Sequence, residues 1–232
     1  MTPETEVSEA ELARARAGRL LTHKTLVYRA ARRFFWVYFV FLSRFRRAGM
    51  ENLPSEGACV IVANHQSYFD IPLVAASTRR HVCFVARDTL ARSRPIAFLI
   101  KWTGAVMVRR GATDRAAIRE IVEHLERGDV VCIFPEGTRS PDGRVGAFQR
   151  GMALVARQAG ARIVPCGIRG TLAILPKGKK APRPARCSIS YGPALEPGPD
   201  ALERAREAVI ALAGDGLFAG GPATERAAPP PT

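Results

Sequence analysis

The heptad Asn64-His65-Gln66-Ser67-Tyr68-Phe69-Asp70 sets a histidine and an aspartate five residues apart, directly after an apolar run. Histidine has an unperturbed pKa of about 6.5, so it can take up and return a proton near neutrality, and an aspartate can fix its tautomer and stabilise the imidazolium. His65 is therefore a candidate general base and Asp70 its orienting partner. A second reading is also open, a structural histidine at a helix start beside an unrelated surface aspartate, and the spacing alone does not separate the two. On an ideal helix, residues five apart lie about 140° apart around the axis. The pair can meet only if the segment opens as a turn, a shape that Asn64 favours.

Three further polar clusters interrupt apolar runs at their ends, where α/β domains build their sites. Gly104 to Arg110 ends in the adjacent cations Arg109 and Arg110. Phe134-Pro135-Glu136-Gly137-Thr138-Arg139-Ser140 runs from an apolar stretch into a carboxylate, a glycine, a hydroxyl and an arginine. Ile163-Val164-Pro165-Cys166 reads as a strand with a proline at its start. No Walker loop, GxSxG elbow or HExxH occurs, so an acyl-enzyme on serine loses its usual sequence support. Gly214-Asp215-Gly216 follows a helix at the chain's end and is not read as a nucleotide loop. His23, His81 and His124 lie outside these motifs, so a metal hydrolase lacks a second imidazole, and no metal site is expected.

These residues need a scaffold, and 232 residues at 47% hydrophobic composition suffice for one sizeable core. The expected fold is α/β: a single domain with a mostly parallel central sheet flanked by helices. Strands are predicted at Ala58 to Ala63, Val82 to Ala86, Ala105 to Val108, Val130 to Phe134, Ile163 to Ile168 and Cys187 to Tyr191. The clearest helix is opened by Thr113 as N-cap and closed by Gly128, with Ile118, Ile121, Val122 and Leu125 on one face. Two more are predicted, Gln149 to Gln158 and Asp200 to about Leu212. The five cysteines each lie in or beside a predicted strand, in odd number and with no CxxC, which points to core residues in a reducing, cytoplasmic setting.

The net charge of +14 calls for a polyanionic partner. Between Arg14 and Arg47 there are ten Lys or Arg and no acid, around the run Phe34 to Leu42. The uncharged interval from Phe34 to Ser43 would cover only about 15 Å as a helix, against a hydrocarbon core of roughly 30 Å. It predicts a monotopic helical attachment at the membrane interface, arginines at headgroup level, unless the aromatics simply pack on the domain. The expected layout is thus an attachment segment over 1–50, a catalytic domain over 51–213 and a flexible tail over 214–232. Nucleic acid is not expected as a partner, because base-stacking aromatics are not interleaved with cations on the domain itself.

Taken together and in order, Asn64-His65-x4-Asp70, Gly104 to Arg110, Phe134 to Ser140 and Val164-Pro165 resemble the four motifs of the glycerolipid acyltransferase family. The resemblance spans about residues 50 to 190. It implies that His65 and Asp70 are catalytic, that an acyl group passes from a thioester directly to a hydroxyl of 1-acylglycerol 3-phosphate, and that no acyl-enzyme forms. It also implies that Arg110, with Glu136, Gly137, Thr138 and Arg139, forms the acceptor-phosphate site, with Asn64, Ser67, Arg109 and Pro165 in support. Arginine suits phosphate because its planar guanidinium donates two parallel hydrogen bonds. No cofactor is implied, only acyl-CoA or acyl carrier protein as co-substrate. The implied partners are a lysophospholipid and a phospholipid surface, at the cytoplasmic face of the cell membrane. Met107 and Arg109 stand where the family often carries an aromatic and an acid. That departure leaves another acceptor open: glycerol 3-phosphate, another lysophospholipid, a glycolipid or a lyso-ornithine lipid.

Overall fold

The structure, a computed structural model, describes residues 9–87, 105–108, 115–149, 151–176, 178–179 and 181–214. In chain order these form α1 (Glu9–Leu42), β1 (Arg46–Ala48), a 3-10 turn (Met50–Asn52), β2 (Cys59–Ala63), α2 (Asp70–Ser77), β3 (Val82–Arg87) and β4 (Val106–Val108). There follow α3 (Arg115–Glu126), β5 (Val130–Ile133), α4 (Gly151–Gln158), β6 (Arg162–Arg169), α5 (Thr171–Ile174), β7 (Ser188–Tyr191) and α6 (Ala201–Ala213). The described strands make one sheet in the order β1-β7-β6-β2-β5-β3-β4. All pairings are parallel except β6 with β7, so β2 to β6 point one way and β1 and β7 the other.

The centre of the sheet is β2, whose Cys-Val-Ile-Val-Ala run has no polar face because both faces are covered. Its side chains alternate between two cores: Cys59, Ile61 and Ala63 join a layer with Leu73 and Val74 of α2 and Phe39 of α1, and Val60 and Val62 join a layer with α3 and α6. Burying each such Val or Ile is worth about 1.5–3 kcal/mol, so this pair of layers fixes the register. On the second layer, Ala117, Ile121 and Leu125 of α3 recur every four residues. Ala201, Ala205, Val209 and Ala213 of α6 do the same. Helix α6 lies so close to β6 that a Cβ on Gly167 would collide with the backbone of Leu212.

The predicted strands are all present to within a residue or so at each end, and several features lay beyond the sequence reading. Arg46–Ala48 at the end of the expected attachment segment is a sheet strand, paired with Ser188–Ser190 of β7. Its three exposed residues carry no apolar alternation, so no strand pattern was visible. Helix α2 is short, and Pro72 is tolerated in its first turn, where backbone N–H groups lack intrahelical partners anyway. Pro165 falls in the middle of β6 rather than at its start. Its carbonyl accepts from Gly192 N–H, so the N–H it lacks falls on the same side, toward the end of the β6–β7 ladder, where pairing passes from Cys166–Tyr191 to the Ile163–Leu195 bridge. The Thr113 cap, Arg109 and Arg110, and the tail beyond Gly214 lie outside the described residues.

Helix α1 divides its aromatics between two faces. Tyr28 and Phe39 are buried, and Phe35, Tyr38 and Phe39 all contact Phe69. Arg32 donates to the carbonyls of Thr78 and Arg79 at the far end of α2. On the other face Phe34 (66% exposed) and Phe41 (75%) stand in solvent with Leu26, Val37, Val40 and Leu42. Among the described residues, no helix is long and apolar enough to cross a membrane.

Candidate active site

Where β2 ends, Asn64 extends its pairing with β6 by side chain instead of backbone. Its Nδ2 donates to Ile168 O at 3.0 Å and its Oδ1 accepts from Ile168 N–H at 2.7 Å. The chain then turns, and helix α2 begins only at Asp70. The turn required by the five-residue spacing is thus present, and it brings His65 Nδ1 to 2.7 Å from Asp70 Oδ2. The same oxygen accepts the N–H groups of Gln66 (2.6 Å) and Ser67 (2.8 Å), while Oδ1 accepts the Thr171 hydroxyl. Asp70 is fully buried, and a buried carboxyl is costly unless its oxygens meet donors, as both do here. Because Nδ1–H donates to the carboxylate, a neutral His65 presents Nε2 as an acceptor. The imidazole is stacked on Phe134, ring centroids 4.3 Å apart, and its side chain is 14% exposed.

The loop after β5 grips the backbone of His65 from the other side. Glu136 Oε1 accepts His65 N–H at 2.9 Å, Glu136 Oε2 accepts Gly146 N–H at 3.1 Å, and Ser140 N–H donates to His65 O at 2.7 Å. Burial pushes the Glu136 carboxyl above its ordinary range, against the pull of its two N–H donors. Glu136, expected at the acceptor-phosphate site, has each oxygen on a backbone donor of the protein itself. Gly137 takes a left-handed conformation (φ 65°) that tightens the turn, with its N–H on Phe134 O. Thr138 is exposed. Arg139 lies over the Tyr68 ring, 3.7 Å from its centroid, and has no ion-pair partner among the described residues.

Of the residues singled out in the sequence, the structure gathers Asn64, His65, Ser67, Asp70, Glu136, Gly137 and Arg139. Ser67 Oγ donates to Leu175 O, tying the turn to the end of α5. Pro165 sits within the β6 ladder, and its partner across β2 is Val62. Four contributors were not anticipated: Gln66, whose Nε2 donates to Gly143 O and Ile168 O, Tyr68 beneath Arg139, Phe134 beneath the imidazole, and Thr171. The available signal was position, since Phe134 and Gly170-Thr171 each end an apolar strand.

His124 was placed outside any polar motif, yet it forms a second pair of the same spacing, with Nδ1 2.8 Å from Asp129 Oδ2. Asp129 immediately precedes β5 and Phe134 immediately follows it, so the two pairs stand at opposite edges of the parallel strands, roughly 16 Å apart along the chain direction. Among the described residues, no group of three or more His, Cys, Asp or Glu is arranged to hold a metal ion.

Comparison with known proteins places His65, Asp70, Glu136 and Arg139 inside a matched region. A family model described as "Acyltransferase" matches residues 44–169. A chloroplastic 1-acyl-sn-glycerol-3-phosphate acyltransferase of Brassica napus is 34% identical over 135 residues, 57% of this chain and 39% of that protein, so the chain spans about two fifths of that relative's length. A lyso-ornithine lipid O-acyltransferase of Pseudomonas aeruginosa is 34% identical over 109 residues, 46% of this chain and 41% of that protein. In three dimensions the chain is similar to the crystal structure of the 1-acyl-sn-glycerophosphate acyltransferase PlsC of Thermotoga maritima, with a TM-score of 0.70 at 29% identity, covering 83% of this chain and 85% of that one.

Proposed function

The chain belongs to the acyltransferase family, and on that premise we propose that it moves a fatty acyl group from an acyl thioester to the free hydroxyl of 1-acylglycerol 3-phosphate, giving phosphatidic acid. The observation that carries this reading is the buried Asp70 carboxylate committed to His65 Nδ1, which leaves Nε2 as a base for an incoming hydroxyl. Nε2 takes the hydroxyl proton as the oxygen attacks the thioester carbonyl, and the imidazolium is stabilised by Asp70. The tetrahedral adduct then expels the thiolate, which recovers that proton from His65 and leaves as free thiol. The bond formed is the ester C–O and the bond broken is C–S, so neither metal nor redox cofactor enters, and acyl-CoA or acyl carrier protein serves only as donor.

Arg139, held over the Tyr68 ring and free of carboxylates among the described residues, is one half of the proposed phosphate clamp. Arg110 is the other half. The exposed face of α1, with Phe34, Phe41 and Leu42 beside Arg33 and Arg44, rests on an anionic phospholipid surface, as a peripheral contact. The acceptor therefore arrives from the bilayer.

Purified protein on vesicles, given a panel of lysolipids and acyl thioesters with free thiol as readout, tests the reading. His65→Ala should lower kcat by about 10²-fold to 10⁴-fold while vesicle binding persists. Near-normal acyl transfer by that variant would refute the role of His65. The similarity to a lyso-ornithine lipid acyltransferase favours a second reading, the same chemistry on a phosphate-free acceptor, and release with lyso-ornithine lipid alone would select it.

A further inference from the structure

We propose that Thr171 is a positioning residue for this reaction: by donating its hydroxyl proton to Asp70 Oδ1, it holds the carboxylate in the rotation that keeps Oδ2 on His65 Nδ1. The inference rests on the acyl-transfer reading of His65. Oδ2 carries three donors, His65 Nδ1–H and the N–H groups of Gln66 and Ser67, whereas the bond to Oδ1 comes from Thr171. Asp70 and Thr171 are both fully buried, so no bulk water replaces that donor. A carboxylate with one satisfied and one bare oxygen gains by turning about its Cβ–Cγ bond to share the N–H donors. Any such turn carries Oδ2 away from the imidazole.

The placement of Thr171 is built into the fold. β6 ends at Arg169, and Gly170 turns the chain in a left-handed conformation (φ 82°) directly into α5. A Cβ at Gly170 would collide with the carbonyl of Arg186, so the turn admits only glycine without a shift. Either side of it the segment is stitched to the His65 turn: Ile168 exchanges two bonds with Asn64 and accepts from Gln66, and Leu175 O accepts from Ser67 Oγ. Those bonds fix backbone to side chain. Thr171 is the member of this set that reaches the carboxylate itself.

Steady-state thiol release by the full chain tests the proposal with Thr171→Val, which keeps shape and removes the donor, and Thr171→Ser, which keeps the donor and removes the methyl. The expected result is a kcat lowered about 10-fold to 100-fold in Thr171→Val, with the KM of both substrates within about twofold of the wild type, and restoration to within about threefold in Thr171→Ser. Wild-type kcat in Thr171→Val would overturn the proposal and leave the role of His65 standing. Equal losses in both variants, tracking a lowered thermal midpoint, would overturn it too, because the hydroxyl would then be irrelevant. Should Thr171→Val not fold, Thr171→Ser decides: a kcat near wild type supports the donor, and a loss like that of His65→Ala overturns it. A wild-type chain releasing no thiol with any acceptor would overturn both this proposal and the reading beneath it.

Discussion

Replacing His124 by Gln should make the protein less stable at neutral pH and no less stable than wild type in strong alkali. His124 lies in the last turn of α3, Asp129 accepts from its Nδ1, and a hydrogen bond with Cys83 adds to the effect. Asp129 first, then Cys83, push the imidazole up to about 9, opposed by partial burial and by Arg127. The rise from the ordinary 6.5 to about 9 corresponds to roughly 3.4 kcal/mol, at about 1.36 kcal/mol for each tenfold in proton affinity. Asp129 is 42% exposed, so solvent screens the pair and a net contribution of about 1–2 kcal/mol is the figure to test. Because the folded value lies above the unfolded one, the contribution is complete below pH 6.5 and is lost as pH rises through 9. Urea unfolding of wild type and His124→Gln at intervals from pH 6 to about 10 measures it. The buried Cys59 thiol, pushed up to about 11 by burial, also weakens the fold in alkali, but it does so equally in both chains and cancels in the difference. A stability difference that stays constant across this range would refute the reasoning. So would a kcat change in His124→Gln, since that pair stands at the edge of the sheet away from His65.

Three further outcomes are expected. Arg139→Ala should raise the KM for a phosphorylated acceptor about tenfold with kcat little changed, in a titration of acceptor at saturating donor, because the contact is used in ground and transition state alike. Glu136→Gln presents an amide N–H₂ to one of two backbone donors, His65 N–H or Gly146 N–H, and should cost about 1.5–3 kcal/mol in urea unfolding together with a lowered kcat. Gly170→Ala, forced into a left-handed conformation against the Arg186 carbonyl, should lower stability by about 2 kcal/mol or more and reduce thiol release along with it, as read by thermal melting and turnover of the same preparation.

The parallel core was legible in the sequence because β2, β5 and β6 are buried on both faces, and such strands read as unbroken apolar runs. The edge strand β1 was not, since Arg46 and Arg47 face solvent and its pairing with β7 joins residues 142 positions apart, as Arg46 with Ser188. The His65–Asp70 pair could be named but not proved by spacing, and His124–Asp129 shows why: the same interval closes into the same kind of Nδ1–Oδ2 hydrogen bond at a helix C-terminus, away from the His65 turn. What distinguishes the first pair is the set of groups converging from β5 and β6, and these meet only through the sheet order. The motif singles out Glu136, but the backbone N–H groups it faces meet it only in the fold, and no side-chain pattern records them.

The contact of Phe69 with Phe35, Tyr38 and Phe39 bears on how the protein can be handled. Phe69 is the residue next to Asp70, so the helix that carries the exposed aromatics also forms the roof over the turn that carries the base. Trimming α1 to obtain a more soluble protein would strip three rings from Phe69, uncover the interior occupied by Phe39, and free β7 of its edge partner's lead-in. Better behaviour in solution is to be sought in single polar replacements at Phe34 or Phe41, whose rings stand in solvent, and not in deletion.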